Sequence, residues 1–205
     1  TMDYNPAEPG LDLKSLGFKH NPLKALVFPR PIGWISTKST SGVPNLAPYS
    51  FFNMVNDQPP MVMFASSDQK DSLTNAGATG VFAYNLATQP LFDAMNASAA
   101  TVMSDVNEFE LAGIEMGQCK LIDAPYVAAS PVHMECVVHR VVDLPSSQTP
   151  PARPAVVIAE IKHIRIDDDF IVDGLVDQKA MQAIARCGYQ DYAVADTFYS
   201  AARPN

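Results

Sequence analysis

The sequence predicts a mainly-β protein, an antiparallel barrel with short helical insertions. Strand-like segments dominate the 205 residues. The short helical segments between them do not alternate regularly with strands, as they would in a doubly wound α/β sheet. No G-x-G-x-x-G motif follows a strand, so a Rossmann dinucleotide site is not expected. A composition of 47% hydrophobic and 18% charged residues is typical of a globular chain with a buried core.

The first half of the chain contains four segments rich in the β-branched and aromatic residues of strands. These segments are Ile32–Thr37, Asn45–Asn53, Met61–Ala65 and Gly80–Leu86. Lys38–Val43 predicts a hairpin turn around Gly42, and Pro59-Pro60 ends the second strand. Pro48 favours an edge, a bulge or a strand end within that second strand.

The second half of the chain predicts two long strands, Val132–Leu144 and Ala155–Ile166, joined by a proline-rich loop. Three short helices are also predicted, over Asp71–Ala78, Gln89–Ala97 and Asp177–Cys187, with mixed loop and helix over Ser104–Gln118. Asp71 is a plausible N-cap of the first helix. We expect an N-terminal extension at 1–20 and a single domain at 21–205.

Charge and cysteine content exclude several classes of function. The net charge of −8 argues against a nucleic-acid partner, which needs a basic face. No apolar stretch reaches the roughly 18 residues of a membrane span, and the N terminus lacks the pattern of a signal peptide. Cys119, Cys136 and Cys187 are isolated from one another, so we expect reduced thiols in a cytoplasmic protein.

Five segments together resemble the flavin reductase-like family, the FMN-binding split barrels, and in particular its flavoredoxin-like branch. In chain order they are RPIGWIST at 30–37, NLAPYSFFN at 45–53 followed by Pro59-Pro60, KDSLTN at 70–75, GVFAYN at 80–85, and RCGY at 186–189 with Tyr192. The match runs from about Asn21 to Pro204 in the same order. Five ordered motifs are more specific for the fold than for the substrate.

The resemblance implies a six-stranded antiparallel split barrel of Greek-key type, a homodimer with one FMN per protomer near the interface. It implies an NAD(P)H-dependent flavin reductase, with an oxygenase or an electron-transfer protein as a possible partner. Alternatives are a flavoredoxin-like FMN electron carrier without NAD(P)H activity, an oxidoreductase that acts on a small organic substrate, and a barrel that has lost FMN and serves as a binding module. Hydride transfer requires alignment and no side-chain nucleophile, so no catalytic residue is predicted.

The loop that enters the first helix is the predicted phosphate site. A helix N terminus favours anions, and hydroxyls and a lysine are available there from Ser66, Ser67, Lys70 and Ser72, with Asn75 one turn further on. The alternative is an ordinary capped helix with a solvated lysine.

The pyrimidine edge of the flavin requires hydrogen-bonding groups, which Asn45, Ser50 and the backbone of Leu46 and Ala47 could supply. Alternatively, Asn45 only closes the hairpin. The ring faces require apolar surface. Trp34, Pro48 and Tyr49 are candidates, although a lone tryptophan at such a position is often a core residue.

Four further residues complete the predicted flavin site. Ile35, Ser36 and Thr37 would lie beside the ring and the ribityl chain. Arg186 would reach the phosphate or the ring edge, or else form a surface ion pair.

No metal site is predicted. His133, Glu135 and His139 share one face of a strand, which we expect to face solvent or an interface. Asp167–Asp169 lacks the ligand spacing of a calcium loop, and the position of Cys119 beside Lys120 is thin evidence for a reactive thiol.

Overall fold

The computed structural model describes residues 1–204, and strands dominate it. The strands of these residues are β1 (Arg30–Pro31), β2 (Gly33–Lys38), β3 (Pro44–Tyr49), β4 (Phe52–Asp57), β5 (Pro60–Ser66), β6 (Val81–Leu86), β7 (Met116–Gln118), β8 (Pro125–Val127), β9 (Val132–Asp143), β10 (Ala155–Ile166), β11 (Ile171–Val172), β12 (Leu175–Val176), β13 (Ile184–Arg186) and β14 (Tyr192–Val194). The α-helices are α1 (Leu23–Leu26), α2 (Asp71–Thr79), α3 (Phe92–Ala97), α4 (Glu108–Leu111) and α5 (Gln178–Met181), and single 3₁₀ turns form at Gln89–Leu91 and Asp168–Phe170.

Seven strands form one antiparallel sheet in the order β3-β2-β6-β9-β10-β5-β4. The predicted barrel class is confirmed, but the sheet has one strand more than the six expected. The predicted strand Asn45–Asn53 is divided by a bend at Ser50 and Phe51 into β3 and β4. Since β3 and β4 lie on opposite edges of the sheet, this two-residue bend requires the sheet to curl until its edges approach each other.

Gly33 of β2 allows the edge strand β4 to approach the other side of the curled sheet. A Cβ on Gly33 would lie 2.4 Å from Cδ2 of Phe52, the first residue of β4. The Phe52 ring also stacks on Tyr84 of β6, with centroids 4.7 Å apart and an interplanar angle of 4°. The glycine therefore leaves room for the Phe52 ring to pack against β2 and β6.

Strand β2 is buried on both faces from Gly33 to Thr37, with the apolar Trp34 and Ile35 followed by the polar Ser36 and Thr37. Ile35 points into the barrel core with Phe64, Phe82 and Val157. Trp34 points to the opposite face and joins a second cluster beneath α3 and α4. Ser36 and Thr37 are tolerated there because each has a hydrogen-bond partner within the chain, the backbone oxygen of Pro125 for Ser36 and Asn45 for Thr37.

The buried carboxylate of Glu135 on β9 holds the segment between β7 and β8 against the sheet through hydrogen bonds. Oε1 of Glu135 accepts a hydrogen bond from the backbone N–H of Lys120 at 2.9 Å. Oε2 accepts from Leu121 at 2.7 Å and from Ile122 at 3.3 Å. Nδ1 of His163 lies 3.1 Å from Oε1. The Glu135 side chain is fully buried, so these donors replace the water that a carboxylate would otherwise bind.

The expectation that His133 and Glu135 face solvent or an interface is wrong within this chain, since both are buried. His133 stacks on Tyr126 of β8 at a centroid distance of 3.9 Å, and of the three residues His133, Glu135 and His139 only His139 is exposed. Sγ of Cys119 and the ligand atoms of His133 and Glu135 lie within 4.8 Å of one another. The carboxylate of this cluster is already occupied by three backbone donors.

Two sequence predictions about helices are also wrong. Asp177–Cys187 is not one helix, because helix α5 ends after Met181 and Ile184–Arg186 pairs with β1 and β14 as a strand. Asp71 is the first residue of α2 and not its cap, since Lys70 holds the extended N-cap conformation without a side-chain capping bond. Within residues 1–204, no helix has the length and apolar character needed to cross a bilayer.

Candidate functional site

A cavity of about 460 Å³, called the main cavity because it contains the largest group of predicted site residues, lies where β3, α2 and the segment after α3 converge. A larger cavity of about 840 Å³ lies between α2 and residues 141–144 and 152–155, away from β3. Strand β3 contributes alternate side chains, and the loop from β5 to α2 contributes hydroxyl, amide and ammonium groups. The lining is mixed polar and apolar, as expected of a site that orients a small molecule.

One end of the cavity is the N terminus of α2, where Ser67, Lys70 and Ser72 converge. Asp68 shapes this loop by accepting hydrogen bonds from the backbone N–H groups of Arg153 at 3.0 Å and Gln69 at 2.8 Å. The bonds from Arg153 and Gln69 hold the pKa of the Asp68 carboxyl below its usual range. Because Lys70 makes no side-chain capping bond, the first-turn N–H groups of α2 remain available to an anion.

A buried polar network supports the floor of the cavity. The amide nitrogen of Asn45 donates to Thr37 Oγ1 at 3.2 Å and to Ser72 Oγ at 2.8 Å. The amide of Asn75 donates to the same threonine oxygen at 3.1 Å. Thr37 therefore connects β2 to both β3 and α2, and it acts on the cavity by positioning Asn45, which in turn donates to Ser72.

Tyr49 supplies an orphaned polar atom at the cavity wall. The residue is 8% exposed, and within residues 1–204 its hydroxyl has no hydrogen-bond partner. Burial raises the pKa of Tyr49, while the nearby hydroxyls of Ser72 and Ser66 partly offset this. A buried hydroxyl without a partner is costly, so it fits a cavity whose occupant supplies the missing hydrogen bond.

The outer edge of β3 carries few free donors. Pro44 and Pro48 have no N–H, and the N–H of Leu46 between them donates to Oε2 of Glu108 at 3.1 Å. Burial raises the pKa of Glu108, and the hydrogen bond from Leu46 opposes that rise. The backbone donor that we predicted at Leu46 is thus already used by the protein.

The segment 98–102 forms the wall opposite α2, and Glu108 adds to it. Ser98 is anchored from behind, since Nε1 of Trp34 donates to its hydroxyl at 2.9 Å. This explains the tryptophan: Trp34 is fully buried in the core and holds the wall in place without lining the cavity. The region 89–118 therefore contributes residues directly to the cavity.

A second, smaller cavity of about 260 Å³ adjoins the first and contains Arg186. Lys24, Pro48, Ser50 and Ala99 line both cavities. Arg186 thus lies beside the main cavity and not at its phosphate-like end.

The predicted site residues fall into three groups. Those that line the main cavity are Asn45, Ala47, Pro48, Ser50, Ser67, Lys70 and Ser72. Those buried behind it are Trp34, Ile35, Ser36, Thr37, Leu46, Ser66 and Asn75. Arg186 lines the neighbouring cavity. The sequence prediction missed Lys24, Gln69, Glu108 and the segment 98–102, whose only sequence signal is a run of small residues.

The curled antiparallel half-barrel, with a polar cleft at the N terminus of α2, has the architecture of the split β-barrels. Residues 25–184 match the family model described as flavin reductase like domain. The chain belongs to the flavin reductase-like family, which confirms the resemblance of the five segments. An uncharacterized protein of Aquifex aeolicus is 34% identical over 176 residues, which cover 83% of this chain and 86% of that protein.

Two solved structures have the same fold. Nitrilotriacetate monooxygenase component B from Bacillus cereus superposes with a TM-score of 0.88 at 24% identity, over 98% of each chain. The 2-nitrobenzoate 2-nitroreductase from Pseudomonas fluorescens superposes with a TM-score of 0.82 at 24% identity, over 98% of this chain and 96% of that one. At this level of identity the likeness establishes the shared fold.

Proposed function

We propose that the main cavity binds FMN and that the protein is an NAD(P)H-dependent flavin reductase. The observation that carries this proposal is the position of the cavity. The cavity lies between the N terminus of α2, with Lys70, and the edge of β3, and the buried, unpartnered hydroxyl of Tyr49 lies at its wall. The chain that contains it belongs to the flavin reductase-like family.

The cavity residues fit the parts of FMN. Ser67, Lys70 and the N terminus of α2 would hold the phosphate, which needs a cation, hydroxyls and free N–H groups. Ala47, Pro48 and Ser50 would lie along the ring, and the hydroxyl of Tyr49 would find its missing partner on the ligand. Bound FMN supplies the capacity to accept a hydride. The protein's own contribution is to bind, to orient and to exclude water, which requires no catalytic side chain.

The phosphate role of Lys70 is tested by measuring the FMN dissociation constant of Lys70→Ala. Loss of one charge-assisted hydrogen bond costs about 1–3 kcal/mol, so we expect affinity to fall roughly 5- to 150-fold. Lys179→Ala, which removes an equal charge from an exposed position on α5, serves as the control. An FMN dissociation constant in Lys70→Ala that equals the wild-type value would refute this role.

The reductase activity is tested by visible absorption of the FMN-loaded protein, with NADH and then NADPH added in the absence of air. Bleaching by one nucleotide supports the proposal and identifies the donor. A flavin spectrum that persists with both nucleotides would replace the proposal with an electron carrier that another protein reduces. An oxygenase partner is proposed on the same basis, since a structural relative is a monooxygenase component B.

We further propose that the protein is a cytoplasmic homodimer. The edge strand β4 exposes apolar side chains, with Met54 at 55% and Val55 at 48% exposed, and the adjoining Phe51 at 44%. Exposed apolar residues next to a free sheet edge favour burial against a second copy. The three cysteines are free thiols, in keeping with a reducing compartment. A sedimentation mass near 22.2 kDa, that of one chain, would contradict the dimer.

A further inference from the structure

The second cavity is bordered by three cationic side chains, Lys24, Arg30 and Arg186. Each comes from a different part of the fold: α1, β1 and β13. Tyr189 and Tyr192 lie beside them. The cavity is built by strand pairing, since Arg30 of β1 stands opposite Arg186 of β13 in the register.

None of the three cations has a carboxylate partner. Within residues 1–204, the ion pairs closer than 4.0 Å involve Lys38, Lys162, His133 and His163 only. Only Lys38 and Lys162 among the 14 lysines and arginines of the described chain lie against a carboxylate, so what distinguishes these three cations is that they border one cavity. Three cations brought together without counter-charges repel one another, and an anion between them would remove that cost.

Arg30 adds a second, independent observation. The residue is 7% exposed, and its terminal nitrogens donate to backbone carbonyls of Lys24, Val27 and Cys187. Its Nε is buried and has no hydrogen-bond partner within the described chain. A guanidinium N–H without an acceptor carries a large desolvation cost. Nε is therefore a donor left without an acceptor in a residue that lines this cavity.

Two contacts within the chain fix the orientation of the Arg186 guanidinium. Its Nη2 donates to the backbone oxygen of Tyr189 at 2.6 Å, and its guanidinium lies 4.3 Å from the ring centroid of Tyr192. Two contacts fix the plane of the guanidinium and leave other N–H groups free. Arginine in this state favours carboxylate and phosphate groups, which it binds through two parallel hydrogen bonds.

We propose that the second cavity is an anion subsite for the small molecule that exchanges electrons with the flavin. It would bind a phosphate or a carboxylate of that molecule while the reacting end meets the flavin where the two cavities adjoin. The two cavities share the lining residues Lys24, Pro48, Ser50 and Ala99, so one molecule can span them. A net charge of −8 repels anions at long range, so such a molecule requires a local cluster of this kind.

This inference rests on the proposed function and names the chemistry of its substrate. Two sources fit the same chemistry, the diphosphate of a nicotinamide dinucleotide and the carboxylate of a small acceptor. Inorganic pyrophosphate and benzoate are probes for the two sources, and calorimetric titration of the FMN-loaded protein measures both.

We expect at least one probe to bind, and the tighter one to identify the source. Arg186→Met should weaken that probe by about tenfold or more, whereas Lys179→Met should change it by less than about twofold, since only the first removes a charge from the cavity. Lys24→Met is a second test on an exposed side chain, in case the arginine variant folds poorly.

Three results would overturn the subsite: no binding of either probe, equal affinity in wild type and Arg186→Met, or binding lost in Lys70→Ala and retained in Arg186→Met. The last result would assign the anion to the main cavity.

If the protein takes up no FMN, the proposed function fails independently of the anion subsite. The same titrations on the flavin-free protein, comparing Arg186→Met with Lys70→Ala, would still decide the subsite.

Discussion

Replacing Glu135 with glutamine isolates the contribution of one buried carboxylate. Burial by itself would raise the pKa of Glu135, but the backbone N–H groups of Lys120 and Leu121, together with His163, more than compensate, so its pKa lies below the usual range. The group is therefore ionised at neutral pH and accepts through both oxygens. Glutamine keeps the shape of the side chain but offers one oxygen and one NH₂ group.

The expected cost follows from the contacts. The amide oxygen of Glu135→Gln can face Leu121 and Ile122, and its NH₂ then meets the N–H of Lys120, which is 2.9 Å from Oε1 in the native protein. One buried donor loses its acceptor, at about 1–3 kcal/mol, and the remaining bonds lose their charge assistance. We expect the free energy of unfolding to fall by about 2–4 kcal/mol in total.

Urea unfolding at a fixed protein concentration measures this cost. The fully buried Trp34 is the only tryptophan in the chain, so its fluorescence reports the transition. Glu115→Gln, at an exposed position of the same region, is the matched control. Amide hydrogen exchange in Lys120–Ile122 should also accelerate. A loss smaller than about 0.5 kcal/mol, the range of ordinary surface substitutions, would refute the structural role of the carboxylate.

Two further predictions concern stability. Gly33→Ala places a methyl group 2.4 Å from the ring of Phe52, so we expect a loss of about 1–3 kcal/mol in urea unfolding. Gly77→Ala, in α2 with open space around it, should instead stabilise by about 0.5–1 kcal/mol, and equal effects of the two would contradict the packing argument. Burial lowers the pKa of His133 to about 4. The unfolded chain has a histidine pKa of about 6.5, so between about pH 6.5 and about pH 4 only the unfolded chain takes up this proton. The free energy of unfolding therefore falls as pH falls, by about 2 kcal/mol from pH 7 to pH 5. His133→Asn should remove most of this slope, and an unchanged slope would assign it to other groups.

Hydrophobic patterns and turn residues in the sequence were sufficient to predict several strands and the first hairpin turn. The bounds of Ala155–Ile166 agree with the structure residue for residue, and the hairpin turn at Gly42 forms as expected, with a φ of +90°. The family resemblance identified the cavity loop and the strand beside it. These features follow from side-chain periodicity and turn chemistry, which neighbouring residues determine.

Features that depend on distant pairing could not be predicted in this way. Ile184–Arg186 is a strand because it pairs with Arg30–Pro31, far earlier in the chain, and this tertiary contact overrides the local preference for helix. The shared face of His133 and Glu135 was predicted correctly from the two-residue period of a strand. Their burial was not, because the covering layer is the β7–β8 segment, whose position no local pattern reveals.

The outer edge of β3 determines which molecules can pair with it through hydrogen bonds. A strand recruited onto a sheet margin exchanges N–H and C=O groups with it in both directions. Along β3 two prolines and one occupied amide leave carbonyl oxygens without matching donors. This edge can accept hydrogen bonds but cannot donate them, so it pairs poorly with a strand of another protein or of a growing fibril. A cyclic imide, whose N–H needs only an acceptor, does not face that obstacle, so the same margin can favour a small ring over another chain.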